Sequence, residues 1–344
     1  MSEAIRAVSL GCGRMGQLGV QLMDRKGIRI VGAVDTNPEI LGKDIGEVAN
    51  LGRKLGVTIT DDLDKVLDEI HPDIVIVALF SFVDKCEPFF NKILSRGINV
   101  LTTCDEAHYS WNTSSASTNR LHELARKNHC TICGSGLLDV FWMQLPLLMA
   151  SGMIELKKIV GTTTFNTDEY GPALADAYNI GRTKKEFEEL MNGKEQPDGF
   201  LMRATNDAIC KRLELTPYDY KVEMKPYIAE KDTYSEVLGK TISAGDLRGT
   251  EEVVTTYTRE GIEIVTSDIG YVYADSEADI CSWKLYGMPD VEVNVPSLNS
   301  YIFTMGNLVN RIPDVINAKE GFITTSEMGM ADFHQHPMNM YLKK

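Results

Sequence analysis

The sequence predicts an α/β chain: an N-terminal doubly wound parallel sheet followed by a C-terminal α+β domain built on a mostly antiparallel sheet. Three observations carry this. Ile5, Val8 and Leu10 run straight into Gly11-Cys12-Gly13-Arg14-Met15-Gly16, and a second apolar run beginning at Ile28 ends at Asp35. Apolar strands then alternate with amphipathic helices as far as Gly134. In the second half of the chain, long strands follow one another without helices between them, joined by turns such as Arg259-Glu260-Gly261.

The opening stretch reads as strand, glycine turn, helix, strand, acid, and a dinucleotide needs each part. The first glycine permits a tight turn, the second lets backbone N–H groups reach a pyrophosphate, and the third lets the helix lie close to its strand. The anion then rests on the positive end of the helix. Asp35 stands roughly 20 residues past the glycines, where a carboxylate meets ribose hydroxyls. This is the Rossmann arrangement, and it assigns Gly11, Cys12, Gly13, Arg14, Met15, Gly16 and Asp35 to cofactor binding. Asp35 repels a 2′-phosphate and Thr36-Asn37 supplies no arginine, so NAD is preferred; Arg14 on the glycine loop leaves NADP open.

Further along, Asp61 or Asp62 caps a helix with Leu63, Val66, Leu67 and Ile70 on one face, and Pro72 stops it. Residues 73–79 form a continuous apolar strand of the kind buried on both faces of a parallel sheet. Phe89, Phe90, Ile93 and Leu94 mark the next helix, which Gly97 closes. A strand over 98–103, a helix ending over 121–127 and a strand over 130–134 complete the alternation. Right-handed crossovers line the strand C-termini along one edge, where ligands gather. That edge holds 11–16, Leu79-Phe80-Ser81, 102–106 and 134–139, so Leu79 and Phe80 join the cofactor-binding set.

The rhythm changes near residue 141. We therefore expect a dinucleotide-binding domain over 1–140 and a substrate-binding and dimerisation domain over 141–344, leaving open that a helix over 301–316 packs back on the first. The second domain begins with a helix over 141–150 and a strand over 156–165, then helices over 184–191 and 200–213. Strands follow at 220–228, 253–258, 262–274, 280–286 and 291–295. An antiparallel sheet with one open face can meet its twin, so a homodimer through this sheet is expected.

Composition narrows the partners. The 344 residues are 43% hydrophobic and 24% charged, an ordinary globular make-up for two domains. A net charge of −14 argues against nucleic acid or an anionic membrane and suits a small cationic substrate. Met1-Ser2-Glu3-Ala4 carries no export signal, and no apolar run approaches the ~18 residues of a membrane span. The seven cysteines are odd in number and scattered, which is no disulfide framework, so a reduced cytoplasm is expected. Cys130-Thr131-Ile132-Cys133 has redox spacing but sits in a β-branched run, where buried thiols are the simpler reading. His334, His336 and Asp332 lack a further ligand at a set spacing and read as a solvated tail; no metal is expected.

A nicotinamide enzyme needs a group near the strand edge that handles a proton while hydride moves. Asp105 and Glu106 follow the strand ending at Thr103, and Glu106 is the preferred catalytic acid; a loop acid or helix cap is the bland alternative. His108 is placed either to shuttle protons beside the substrate or to pack in the interior. Asp168, Glu169 and Tyr170 follow the first strand of the second domain, and Tyr170 offers a hydroxyl on a rigid ring.

With Gly11–Gly16, Val31-Gly32-Ala33-Val34-Asp35, the Asp105-Glu106 loop, Gly134-Ser135-Gly136-Leu137-Leu138-Asp139 and Asn310-Arg311-Ile312-Pro313-Asp314-Val315 in view, the chain resembles the 2,4-diaminopentanoate dehydrogenases over essentially its whole length. These are relatives of dihydrodipicolinate reductases and native amine dehydrogenases. The resemblance implies NAD(P)-dependent oxidative deamination of the C4 amine of 2,4-diaminopentanoate, a step of ornithine fermentation, giving 2-amino-4-oxopentanoate and ammonia. It implies Glu106 as the catalytic carboxylate and a substrate-lining segment that includes Asn166 and Tyr170; His108, from its place near Glu106, joins them as a substrate-binding candidate. The His-His-x-x-Lys motif and Ser-Gly-Thr loop of dihydrodipicolinate reductases are absent here. A substrate carboxylate needs an anchor, and Arg182, Arg203 and Arg311 remain open for it. The alternatives are an imine or carbonyl reductase of the same fold, or a non-catalytic NAD-binding sensor.

Overall fold

The computed structural model describes residues 3–170, 172–193 and 199–343. The chain divides into two compact units, one of Met1–Val140 with Tyr301–Lys344, the other of Phe141–Ser300.

In the first unit, β1 (Arg6–Leu10), α1 (Arg14–Arg25), β2 (Arg29–Val34), α2 (Ile45–Val48), β3 (Ile59–Thr60), α3 (Leu63–Ile70), β4 (Ile74–Val77), α4 (Val83–Leu94), β5 (Asn99–Thr102), α5 (Ser115–Lys127) and β6 (Thr131–Gly134) alternate along the chain. The strands pair in parallel in the order β3-β2-β1-β4-β5-β6, the doubly wound order of a dinucleotide fold. Ile74-Val75-Ile76-Val77 is buried throughout, as a strand covered on both faces must be. Asp62, not Asp61, caps α3: its Oδ1 accepts from the N–H of Lys65 at 3.0 Å, and Leu63, Val66 and Leu67 turn inward.

The second unit starts inside a π-helix, Leu138–Gln144, that runs into α6 (Leu145–Ala150) where a single α-helix was predicted. The unit continues through β7 (Glu155–Asn166), α7 (Pro172–Ala177), α8 (Lys184–Gly193), α9 (Phe200–Leu213), β8 (Pro217–Ile228), β9 (Thr233–Ser235), β10 (Lys240–Ile242), β11 (Leu247–Thr258), β12 (Glu263–Tyr271), β13 (Asp279–Met288) and β14 (Val291–Leu298). Six strands form a sheet in the order β14-β13-β7-β12-β11-β8, antiparallel except for β7 with β12; β9 and β10 form a separate ribbon. On one face, Asn206 of α9 bonds Thr256 of β11 and Thr266 of β12, fixing helix to sheet.

The tail departs from the predicted boundary. After α10 (Ser300–Ile316) the chain adds β15 (Gly321–Phe322) to the free edge of β6 as a seventh parallel strand, so residues from Tyr301 onward belong to the first unit. The reason is apolar: Met305, Leu308, Val309, Ile312 and Val315 of α10 share a core with Ala7, Val20, Met23 and Ile76. His334 is no solvated residue either. It is buried and its ring stacks on Tyr341 at 4.0 Å, while the Lys26 ammonium donates to its backbone oxygen. Among the described residues, no group of three or more His, Cys, Asp or Glu is arranged to hold a metal.

Candidate active site

The glycine turn fits a dinucleotide. Gly11 has φ +90°, and a Cβ there would lie 2.2 Å from the Ala78 oxygen; at Gly16 it would lie 1.9 Å from the Gly11 oxygen. Neither position admits a side chain. Gly13 faces open space and starts α1 without any side chain capping the helix, which leaves its positive end to an anion. Arg14 is exposed beside it, Met15 half-buried, and the Arg14 oxygen accepts from the Tyr301 hydroxyl at 2.7 Å. The Cys12 side chain is interior, and burial pushes its thiol up to about 12.

Asp35 is built into this turn. One carboxylate oxygen accepts from the N–H of Cys12 at 2.6 Å and the other from the N–H of Asn37 at 2.8 Å. It opens onto a cleft of about 440 Å³ whose walls include Asp35, Thr36, Asp62, Leu79, Phe80 and Phe89, a volume suited to a small ligand. Phe80 is 50% exposed, an apolar face at the rim. Asp61 and Asp64 add charge to the walls; Lys92 also lines them, and its ammonium is paired with Asp64 at 2.6 Å.

The two adjacent acids after β5 diverge. They occupy a 3-10 turn, Asp105–His108, in which successive side chains point about 120° apart. Glu106 turns inward and is 3% exposed. Its Oε2 accepts from the N–H of Val83, in the first turn of α4, at 2.8 Å, and its Oε1 from the Ser114 hydroxyl at the start of α5 at 2.7 Å. That is the helix-cap geometry. Asp105 is half-buried, and its Oδ2 accepts from the Ser81 hydroxyl at 2.5 Å, linking the loops after β4 and β5. Burial pushes its carboxyl up to about 6, against the lowering effect of that hydrogen bond.

His108 packs in the interior at 1% exposure, which does not offer the substrate contact expected of it. Burial drives its imidazole down to about 4 although Asp139 pulls the other way, so the ring is neutral at pH 7; its Nδ1 lies 3.5 Å from the Thr325 hydroxyl. Sequence reasoning missed the network beside it. Asp139 and Arg311, at 0% and 1% exposure, form a two-pronged pair at 2.8 and 3.2 Å. Asn307 donates to Ser135, to the Gly136 oxygen and to Asp139, tying α10 to the loop after β6. Arg311 is therefore spent on the fold and drops out as a carboxylate anchor. Only the order of residues in two motifs hinted at this network, because a long-range ion pair leaves no periodic trace.

In the second unit, the Asn166 side-chain oxygen accepts from the N–H groups of Asp168 and Tyr273 at 3.2 and 3.4 Å. Tyr170 is 36% exposed and meets Phe165 edge-on at 5.5 Å. Arg182 pairs with Asp176 at 3.2 Å, and Arg203 lies over the Tyr220 ring at 4.5 Å.

Residues 5–132 match the family described as dihydrodipicolinate reductase, N-terminus, and residues 141–343 match the 2,4-diaminopentanoate dehydrogenase C-terminal domain. The chain belongs to the 2,4-diaminopentanoate dehydrogenase family. It is 23% identical over 351 residues to the 2,4-diaminopentanoate dehydrogenase of Acetoanaerobium sticklandii, across 95% of this chain and 94% of that enzyme. It also superimposes on an amine dehydrogenase from Mycobacterium smegmatis with a TM-score of 0.91 and 32% identity, over 97% of this chain and 98% of that one. A shorter likeness, 43% over 61 residues, joins it to a 4-hydroxy-tetrahydrodipicolinate reductase of Mastigocladus laminosus. In this chain, the acid-bearing turn and the glycine turn occupy the same edge of one parallel sheet.

Proposed function

We propose that this chain catalyses the NAD-linked oxidative deamination of the C4 amine of 2,4-diaminopentanoate, giving 2-amino-4-oxopentanoate and ammonia. The observation that carries the reading is Asp105: a half-buried carboxylate with its pKa raised to about 6, on the nucleotide edge of the sheet, in a chain of this family. When bound, NAD supplies the hydride acceptor. Gly13 and the open end of α1 hold the diphosphate, Asp35 the ribose hydroxyls, and Leu79 and Phe80 flank the nucleotide.

We assign proton transfer to Asp105 rather than Glu106. A carboxylate with a pKa near 6 is ionised at pH 7 and still basic enough to take a proton from the substrate ammonium. Passing that proton on to solvent restores its negative charge, which steadies the iminium that develops on the substrate and then orients the water that attacks it. Glu106 acts as a positioning residue, holding the turn through α4 and Ser114. Asn166 and Tyr170 are assigned to the substrate from the second unit.

Acidic walls around Asp35 favour NAD over NADP, since Asp61, Asp62 and Asp64 repel a 2′-phosphate while Lys92 is engaged by Asp64. Two copies pair through the sheet face opposite α9, where half-buried Val160, Val265 and Thr255 stand in register across β7, β12 and β11. Seven free, buried thiols suit a reduced cytoplasm. The test is to count ammonium released per NADH formed with 2,4-diaminopentanoate, ornithine, lysine and simple amines. One ammonium per NADH with the first substrate, and little turnover of the others, supports the reading. NADH without ammonium means a carbonyl or imine reductase instead, and sedimentation of the purified protein as a monomer removes the dimer.

A further inference from the structure

The loops after β4 and β5 run side by side past the ends of their strands. Ala78 N–H donates to the Leu10 oxygen and Thr103 N–H to the Val77 oxygen, so the sheet-like pairing continues beyond both strands. The two loops meet again at Ser81. Its backbone oxygen accepts from Glu106 N–H at 3.0 Å, and its hydroxyl donates to Asp105 Oδ2 at 2.5 Å. Ser81 thus grips two neighbours in the acid-bearing turn, one through its main chain and one through its side chain. Leu79 and Phe80, which wall the cleft beside Asp35, directly precede it.

The last torsion of an aspartate is soft, so a carboxylate without a fixed partner samples a broad range of orientations. The Ser81 bond selects among them. Among the described residues it is the one side-chain hydrogen bond that Asp105 makes, and it engages Oδ2. A donor to the ionised form also favours that form, so Ser81 pulls the carboxyl down while burial raises it to about 6. Three other titratable groups stand close by. Burial pushes the Cys104 thiol well above its ordinary value, while Cys86 of α4 is held below its own by a bond to Cys104 although burial opposes it. Glu106 turns away toward Val83 and Ser114.

We propose that Ser81 is a positioning residue of the reaction: by holding Oδ2 of Asp105, it keeps Oδ1 aimed at the substrate ammonium. The inference rests on the proposed function and deepens it, since it names the oxygen that works. As the proton leaves, the substrate N–H bond breaks, its electron pair stays on nitrogen, and an O–H bond forms at Oδ1. Ser81 holds the carboxylate in that alignment without touching the substrate.

The test compares pH profiles of kcat/KM in wild type, S81A, S81T and D105N. In S81A the inflection rises from about 6 by about 1 to 2 pH units, the effect of losing one hydrogen bond to a charged carboxylate. In S81T, which keeps the hydroxyl, it returns to near 6. A merely structural Ser81 gives the opposite sign, because a loosened turn admits water and moves the inflection down. An S81A inflection at or below 6, with D105N inactive, overturns Ser81 and leaves Asp105 as the base. D105N with wild-type turnover overturns both together. Infrared titration of the carboxyl, its band assigned by loss in D105N, reads the bond without turnover. A band that titrates higher in S81A than in wild type supports the inference even in a chain that deaminates none of the amines offered, and an unmoved band overturns it.

Discussion

Replacing Asp105 and Glu106 separately by their amides distinguishes a proton acceptor from a clamp. D105N removes the carboxylate that burial pushes up to about 6, and loss of a general base lowers kcat/KM by roughly 10²- to 10⁴-fold. The wild-type pH profile carries the same signature. With the carboxyl pushed up to about 6, the ionised fraction grows roughly tenfold between pH 5 and 7, so kcat/KM climbs through an inflection near 6 that D105N lacks. E106Q behaves otherwise. Its amide oxygen accepts from Val83 N–H alone, and its NH2 must turn the Ser114 hydroxyl into an acceptor, so the charge-assisted bond to Ser114 is lost. Hydrogen bonds to a charged group are worth about 1.5–3 kcal/mol, which calorimetry reads as a melting point several degrees lower. Steady-state NADH formation across pH 5–9 with scanning calorimetry on both variants decides the matter. Turnover lost by orders of magnitude in E106Q at an unchanged melting point, with D105N near wild type, would falsify the assignment.

Two further substitutions probe the frame. Asp35→Ser shifts the kcat/KM ratio toward NADP, because it removes the carboxylate proposed to hold the ribose hydroxyls; an unchanged ratio means that Asp35 does not face the 2′ position. D139N leaves the buried Arg311 with Asp314, at 2.9 Å, as its remaining carboxylate partner, which costs at most about 3–5 kcal/mol in unfolding free energy, measured in denaturant. Burial works against the Asp139 charge, yet Arg311 and Asn307 outweigh it and hold the carboxyl below its ordinary range. The stabilisation it brings is then present above the ordinary carboxylate range and lost as pH falls through the depressed value, so wild type and D139N converge in acid.

The parallel sheet was legible because its signals are local: glycines at fixed offsets, an acid after β2, and fully apolar β4. What escaped is set by distant partners. β15 is two residues long and gains meaning only from the free edge of β6. His334 reads as solvated until Tyr341 stacks on it. Within the candidate site, the glycine turn and Asp35 could be named from spacing, whereas the choice between Asp105 and Glu106 could not. Two neighbouring acids are equivalent in a sequence, and only the start of α4 at Val83 and Ser114 before α5 draws one of them inward.

That division of labour has a testable asymmetry. Ser114 does not cap its own helix; it gives its hydroxyl to Glu106, and the same carboxylate takes the N–H of Val83 at the N-terminal end of α4, where a negative charge is favoured. Glu106 thus holds two helix starts at once, and the turn that presents Asp105 is fixed by this grip. E106D keeps the charge but shortens the reach by one methylene, so it can serve one partner and not both. The loosened turn admits water to Asp105, and because burial is what raises that carboxyl, its pKa moves down toward the ordinary carboxylate range. The expected outcome for E106D is a lower melting point together with a kcat/KM inflection below 6, with kcat reduced far less than in D105N. An inflection that stays near 6 while the melting point drops would separate the clamp from the chemistry and leave Glu106 a purely structural residue.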